Sequence, residues 1–221
     1  MEQHKQGYFS FNDIMSLEQS FRASFVNSLL GFKSVALIGS VNKEGQTNLA
    51  VFSSFVHIGA NPPYIAFISR PDSVERHTLS NILEKGFYTV NHIQPSIYEQ
   101  AHQTSARYPR EVSEFDVTKL TVEYKNGFEA PFVKESSIQL GVQFKEQIHL
   151  TINNTLLIIG EISQVYYPKN CLCEDGFLDL EKAKTVTCSG LDSYHTTERL
   201  ARLSYAKASK ELERIKLTYL E

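Results

Sequence analysis

Tryptophan is absent from the 221 residues, and cysteine occurs three times, at Cys171, Cys173 and Cys188. An odd count gives no disulfide framework, and Cys-Leu-Cys lacks the Cys-x-x-Cys spacing of zinc or dithiol sites, so reduced, structurally neutral thiols are expected. No apolar run approaches the roughly 20 residues needed to span a bilayer. The opening Met1-Glu2-Gln3-His4-Lys5 is polar and no apolar stretch follows it, which gives no signal peptide and an expected cytoplasmic location. Gly-x-Gly-x-x-Gly, a Walker loop, His-Glu-x-x-His and Gly-x-Ser-x-Gly are all missing. The seven histidines show no metal-ligand spacing and nothing marks a triad, so no metal ligand and no catalytic side chain is singled out. A net charge of −3 offers no general reason to bind nucleic acid or an anionic membrane. If the chain is an enzyme, a bound cofactor would carry the chemistry.

What is present suits one sizeable core: 42% hydrophobic residues, 14 Phe and 11 Tyr. The richest stretch runs from Ser34 to His92. An apolar run over 34–41, the turn Asn42-Lys43-Glu44-Gly45 and a second run over 46–58 read as a hairpin, and Tyr64–Ser69 and Phe87–His92 as further strands. Between those two lie a polar loop from Arg70 to Thr78 and a short helix from Leu79. Upstream, Asn12 or Asp13 would cap one helix ending at Gly31. Downstream, Ile97–Arg107 reads as a polar helix capped by Ser96, 110–119 as a charged connection anchored by Phe115, and Leu120–Tyr124 as a strand. Ser137–Leu150 and Thr155–Tyr166 alternate as a long hairpin turning at Asn153-Asn154, 180–184 as a short helical turn, and Thr197 would cap a terminal helix. The pattern implies a mainly β protein, a closed or nearly closed antiparallel barrel with peripheral helices. A single domain over 1–221 is expected, with arm and first helix in 1–31, barrel core in about 32–195 and a C-terminal helix over about 197–216.

The loop from Ser69 to Thr78 is the best anion site. Arg70 and Arg76 offer charge-assisted donors and Ser69, Ser73 and Thr78 hydroxyls; a helix capped by Thr78 would add free N–H groups and its dipole. A solvated polar loop is the plainer reading of the same residues. Thr47, Asn48, Ser53, Ser54 and Asn91 admit two readings as well, ordinary strand-end polar residues or groups that read the polar edge of a flat heterocycle. Together these residues point to a phosphate-bearing cofactor.

The succession Gly45-x-x-Asn48-x-Ala50-x-Phe52-Ser53-x-Phe55, Asn61-Pro62-Pro63, Thr78-x-x-Asn81-Ile82 and Val90-Asn91 resembles the flavin reductase-like family of FMN-binding split barrels. That family includes flavoredoxins and flavin reductase components of two-component monooxygenases. The resemblance continues through Glu114-Phe115, Glu135-Ser136-x-x-Gln139-Leu140, Ile159-Gly160-Glu161 and Ser189-Gly190-Leu191-x-x-Tyr194. It implies a six-stranded Greek-key split barrel, a homodimer with FMN near the subunit interface, and NADH or NADPH as electron donor. Carried over by position, Asn48, Ala50, Phe52, Ser53, Ser54 and Phe55 would line the isoalloxazine. Ser69, Arg70, Arg76, His77 and Thr78 would hold the ribityl phosphate, with Asn81 and Asn91 nearby and Tyr194 approaching the flavin. The chain departs from the family pattern at Val51 (often Pro), at Arg76-His77-Thr78 (often Lys-Asp-Thr) and at Ser189-Gly190-Leu191 (often Leu-Gly-Gly). The function implied is an NAD(P)H-dependent flavin reductase, its acceptor free flavin, oxygen or a protein such as a monooxygenase component. A flavin carrier or sensor with little turnover is the alternative, and a barrel without cofactor a third.

Overall fold

The computed structural model describes residues 6–71 and 76–220. Its strands are β1 (Lys33–Ser34), β2 (Ala36–Val41), β3 (Thr47–Phe52), β4 (Phe55–Ala60), β5 (Pro63–Ser69), β6 (Phe87–His92), β7 (Val122–Glu123), β8 (Phe132–Val133), β9 (Gln139–Leu150), β10 (Thr155–Tyr166), β11 (Thr187–Ser189) and β12 (Ser193–His195). The helices are α1 (Phe11–Ser16), α2 (Gln19–Ser28), α3 (His77–Lys85), α4 (Tyr98–Gln103) and α5 (Glu114–Thr118).

The main sheet has seven strands in the order β3-β2-β6-β9-β10-β5-β4, each pair antiparallel. Its two end strands, β3 and β4, are consecutive in sequence and joined only by Ser53-Ser54. Laid flat, six steps of about 4.8 Å would separate them by roughly 29 Å. A two-residue link reaches about 11 Å. The sheet must therefore curl until its ends meet, yet β3 and β4 do not pair, which leaves a barrel split along one seam. The run 46–58, expected as one strand, is thus two, and the sheet has seven strands where the resemblance implies six. The break is held by Ser54, whose hydroxyl donates to the Ile68 carbonyl at 2.9 Å and accepts from the Ile68 N–H at 3.1 Å.

Side chains of Ile38, Phe67, Ile82, Tyr88, Val142 and Ile158 fill one core. Leu37, Leu49, Ile93, Phe115 and Val133 form a second on the other face of the sheet, against α4 and α5. Alternate residues of β2 (Leu37, Ile38) feed different cores, as a period of two requires. Tyr88 is fully buried and its hydroxyl has no hydrogen-bond partner among the described residues. Burial pushes that phenol well above its ordinary range. Gly160 makes room for it: a Cβ there would lie 2.5 Å from the hydroxyl and closer still to Val142 Cγ1. An unpaired buried hydroxyl carries a desolvation penalty of about 1–3 kcal/mol. Tyr88→Phe should therefore be neutral or stabilising by about 1 kcal/mol in urea unfolding, whereas a clear loss would reveal a partner for the oxygen.

Local chemistry changes the ends of the chain. The first helix is two: Ser10, not Asn12 or Asp13, caps α1, with Asp13 accepting from the Ser10 N–H at 2.8 Å to complete a capping box. Leu17 and Glu18 are extended, and the Glu18 carboxylate starts α2 by accepting from Ser20 and Phe21 N–H groups at 2.8 and 3.1 Å. The helix expected over 97–107 is confined to α4, and Ile97 rather than Ser96 occupies its N-cap. The charged connection contains α5, whose Phe115 is buried as its anchor.

No helix forms over 197–216. Those residues run as a strap with isolated bridges at Leu203–Arg214 and Lys207–Lys210. Arg199 reaches buried Asp179, one bond at 3.2 Å, while Arg202 pairs with Asp175 and the Tyr219 hydroxyl donates to Asp179 at 2.7 Å. Both guanidinium groups also lie over the Phe177 ring. Arg199 and Tyr219 both bond Asp179, and the chain between them doubles back through antiparallel bonds (Ile215 N–H to the Arg202 carbonyl, Ser204 N–H to the Glu213 carbonyl), so tertiary bonding overrides helix propensity. Burial pushes the Asp179 carboxyl up, but hydrogen bonds from Arg199, Tyr219 and the Lys182 N–H more than offset this and hold it well below the usual carboxylate range. Asp179→Ala should release the strap, and tryptic cleavage within 199–216 should then precede loss of the barrel. Unchanged digestion would show that the strap does not depend on this carboxylate.

Candidate functional site

A cleft of about 1000 Å³ opens at the barrel's seam. Ala50, Phe52, Ser53, Ser54 and Phe55 line it from the seam itself, Asn48, Ser69, Arg70, Arg76, His77 and Thr78 from the side of α3. Leu30, Phe32 and Leu191 form part of its rim. Because β3 and β4 each pair on one side only, their free edges present unshared backbone N–H and C=O groups at the seam. One of these, the Leu49 N–H, donates to Glu114 at 2.9 Å. Such an edge, flanked by Phe52 and Phe55, can receive a flat heterocycle with alternating donors and acceptors.

The other end of the site suits an anion. Arg76 is the N-cap of α3 in extended conformation (φ −119°), and its side chain makes no capping bond. Thr78 is not the cap; its hydroxyl accepts from Asn48 Nδ2 at 2.9 Å. No side chain among the described residues caps the first N–H groups of α3, which leaves them open to an outside acceptor with the positive end of the helix dipole behind them. Arg76 Nε is buried with no partner among the described residues. A buried cationic donor without an acceptor, beside an uncapped helix start, fits the phosphate of a bound cofactor. Ser73, expected as a further hydroxyl donor, lies outside the described residues.

Four of the expected site residues stand apart from the cleft lining, among them Thr47, whose hydroxyl bonds that of Ser113 at 2.7 Å. Asn81 is buried behind the lining and donates to Ser40 at 3.1 Å, and Asn48 reaches the same hydroxyl at 3.4 Å, so Asn81 supports Asn48 indirectly. Its Oδ1 has no partner among the described residues. Asn91 is spent on the fold: Nδ2 donates to the Leu37 carbonyl at 3.2 Å and Thr89 Oγ1 at 2.9 Å, while Oδ1 accepts from Val133 N–H at 3.0 Å. Tyr194 packs against Tyr98 and His102, its oxygen 3.2 Å from His102 Nδ1, and burial pushes the phenol up to about 12.

Other lining residues were not singled out from the sequence. Glu114 is buried, and burial raises its carboxyl above the ordinary range against the opposing Leu49 N–H bond and the nearby His77. Its only signal was the Glu114-Phe115 pair within the family-like succession. Arg107 and Tyr108 belong to the segment after α4, where Arg107 reads in sequence as the last residue of a polar helix and Tyr108 as part of its stop.

The family description "Flavin reductase like domain" matches residues 32–178. Among solved structures, a split-barrel-domain protein of Shewanella frigidimarina NCIMB 400, named as a candidate flavin reductase, is 52% identical, covering 91% of this chain and all of its own, with a TM-score of 0.88. Nitrilotriacetate monooxygenase component B from Bacillus cereus is 25% identical over 90% of this chain and 100% of its own, with a TM-score of 0.79. The flavoredoxin of Desulfovibrio vulgaris (Miyazaki F), 22% identical over 80% of this chain and 91% of its own at a TM-score of 0.66, shares the fold. A barrel split at Ser53-Ser54, an anion-ready helix start beside that seam and the match over 32–178 converge: the chain belongs to the flavin reductase-like family.

Proposed function

We propose that the protein binds FMN in the seam cleft and passes electrons from NADH or NADPH through it to an acceptor. The observation that carries this reading is the buried, unpartnered Arg76 Nε beside the uncapped start of α3, at one end of a cleft edged by open strands. In this reading Arg76, Arg70, Ser69 and the first N–H groups of α3 hold the ribityl phosphate. The free edges of β3 and β4 hydrogen-bond the polar rim of the ring, and Phe52 and Phe55 exclude water from its apolar part. Asn48 is steadied by Thr78 and Ser40. When bound, the flavin would supply the redox chemistry, able to take two electrons as hydride from a dihydronicotinamide (with a proton from solvent) and to give them to an acceptor. Free flavin, oxygen and a protein partner such as a monooxygenase component all suit a reduced flavin held at an open cleft.

A homodimer is part of the proposal. Phe11 and Phe21 of the N-terminal helices and Leu29 at the end of α2 are exposed, as are the rim residues Leu30 and Phe32, a concentration of apolar surface suited to a second copy near the cleft. Among the described residues no helix is long and apolar enough to cross a membrane. Equilibrium titration of the apoprotein with FMN and with riboflavin tests the binding half of the reading. FMN should bind the more tightly, through the phosphate contacts; equal affinities would contradict the phosphate assignment.

A further inference from the structure

The cleft holds more positive charge than one flavin phosphate needs. Arg70 and Arg76 line it beside α3, and Arg107 lines it from the turn after α4. None of the three guanidinium groups has a hydrogen-bond or ion-pair partner among the described residues. A phosphomonoester carries at most about two negative charges, and the start of α3 with Arg70 and Arg76 already answers them.

Arg107 sits on a different element, and its turn is tied down on both sides. Thr104 is buried and donates to the Ala101 carbonyl at 2.7 Å, and the Ser105 and Ala106 N–H groups donate to His102 and Gln103 carbonyls at 3.0 and 3.1 Å. Gln103 Nε2 donates to the Tyr108 hydroxyl at 2.7 Å. The Arg107 backbone is therefore fixed, while its side chain is exposed at the cleft and has no partner among the described residues. The cleft volume of about 1000 Å³ is at the top of the roughly 300–1000 Å³ range for small-molecule sites.

We propose that Arg107 holds a phosphate of the nicotinamide dinucleotide, giving the cleft two anion positions, one for each substrate. The proposal rests on the reading of function above. A merely structural Arg107 would complement the C-terminal end of α4 and leave both ligands unaffected.

The test compares the wild type, Arg107→Ala, Arg107→Lys and Arg76→Ala, each loaded with FMN and titrated anaerobically with NADH and with NADPH, alongside separate FMN binding titrations. Arg107→Ala should raise the half-saturating dinucleotide concentration about tenfold or more without weakening FMN binding, and Arg107→Lys should restore part of the loss. Equal losses with both donors place the contact at the pyrophosphate, and a loss with NADPH alone places it at the 2′-phosphate; either supports the proposal. Arg107→Ala that titrates like the wild type, or that weakens FMN as Arg76→Ala does, overturns it. A wild type that binds FMN but is neither reduced by nor binds either dinucleotide overturns the functional reading along with it. A wild type that is reduced while Arg107→Ala is unchanged overturns the role of Arg107 alone.

Discussion

Arg76→Ala is expected to weaken FMN binding by about 1–3 kcal/mol, roughly 5- to 150-fold, while leaving riboflavin affinity nearly unchanged. The size follows from what the side chain lacks. Arg76 Nε is buried without an acceptor, and the side chain makes no capping bond to α3. A ligand phosphate would supply that missing acceptor, so removing the guanidinium removes a charge-assisted bond in a partly desolvated place. The helix start would remain in the variant and keep part of the affinity, which sets the upper limit. Arg76→Lys should recover some binding through charge, but not the planar fork. Equal losses for FMN and riboflavin would mean that Arg76 shapes the cleft as a whole rather than meeting the phosphate.

The second large effect concerns the frame behind the site. Gly39→Ala should destabilise the protein by roughly 2–4 kcal/mol, combining overpacking with loss of a buried hydrogen-bond network. A Cβ at Gly39 would press on the Pro131 carbonyl oxygen, a backbone atom that no rotamer change can move, and would lie 2.5 Å from Thr89 Oγ1. That hydroxyl donates to the Pro131 carbonyl at 2.6 Å and accepts from Asn91 at 2.9 Å, so the intrusion breaks the net that ties β2, β6 and the 131–133 segment together. A lower denaturant midpoint with unaltered slope is the expected result. An unchanged midpoint would show that the Pro131 segment yields freely.

Much of this was legible in the sequence because its pattern is local. The alternation in 137–150 and 155–166 placed β9 and β10 with their turn at Asn153-Asn154, since a period of two on a half-buried strand leaves a clear trace. The loop into α3 was found because it collects hydroxyls and cations before an apolar helix face. Long-range bonding left no such trace. The break at Ser53-Ser54 follows from closure of the sheet and from the Ser54–Ile68 bonds, contacts that no short window contains. Thr78 looked like a cap, but Asn48, distant in sequence, occupies its hydroxyl, and Arg76 takes the cap position. Asn91 looked available to a ligand because a polar residue ending an apolar strand reads the same whether it faces a cleft or a buried net. The strap over 197–216 has a helical composition, yet it doubles back as an antiparallel pair because Asp175 and Asp179 hold its ends.

The visible spectrum of FMN-loaded protein under anaerobic addition of NADH, then NADPH, tests the central claim most directly. Rapid bleaching of the protein-bound flavin by at least one donor is expected, and the faster one identifies the physiological reductant class. An oxidised flavin spectrum that persists with both donors would contradict a nicotinamide-dependent reductase and leave a flavin carrier, or an enzyme reduced by another protein.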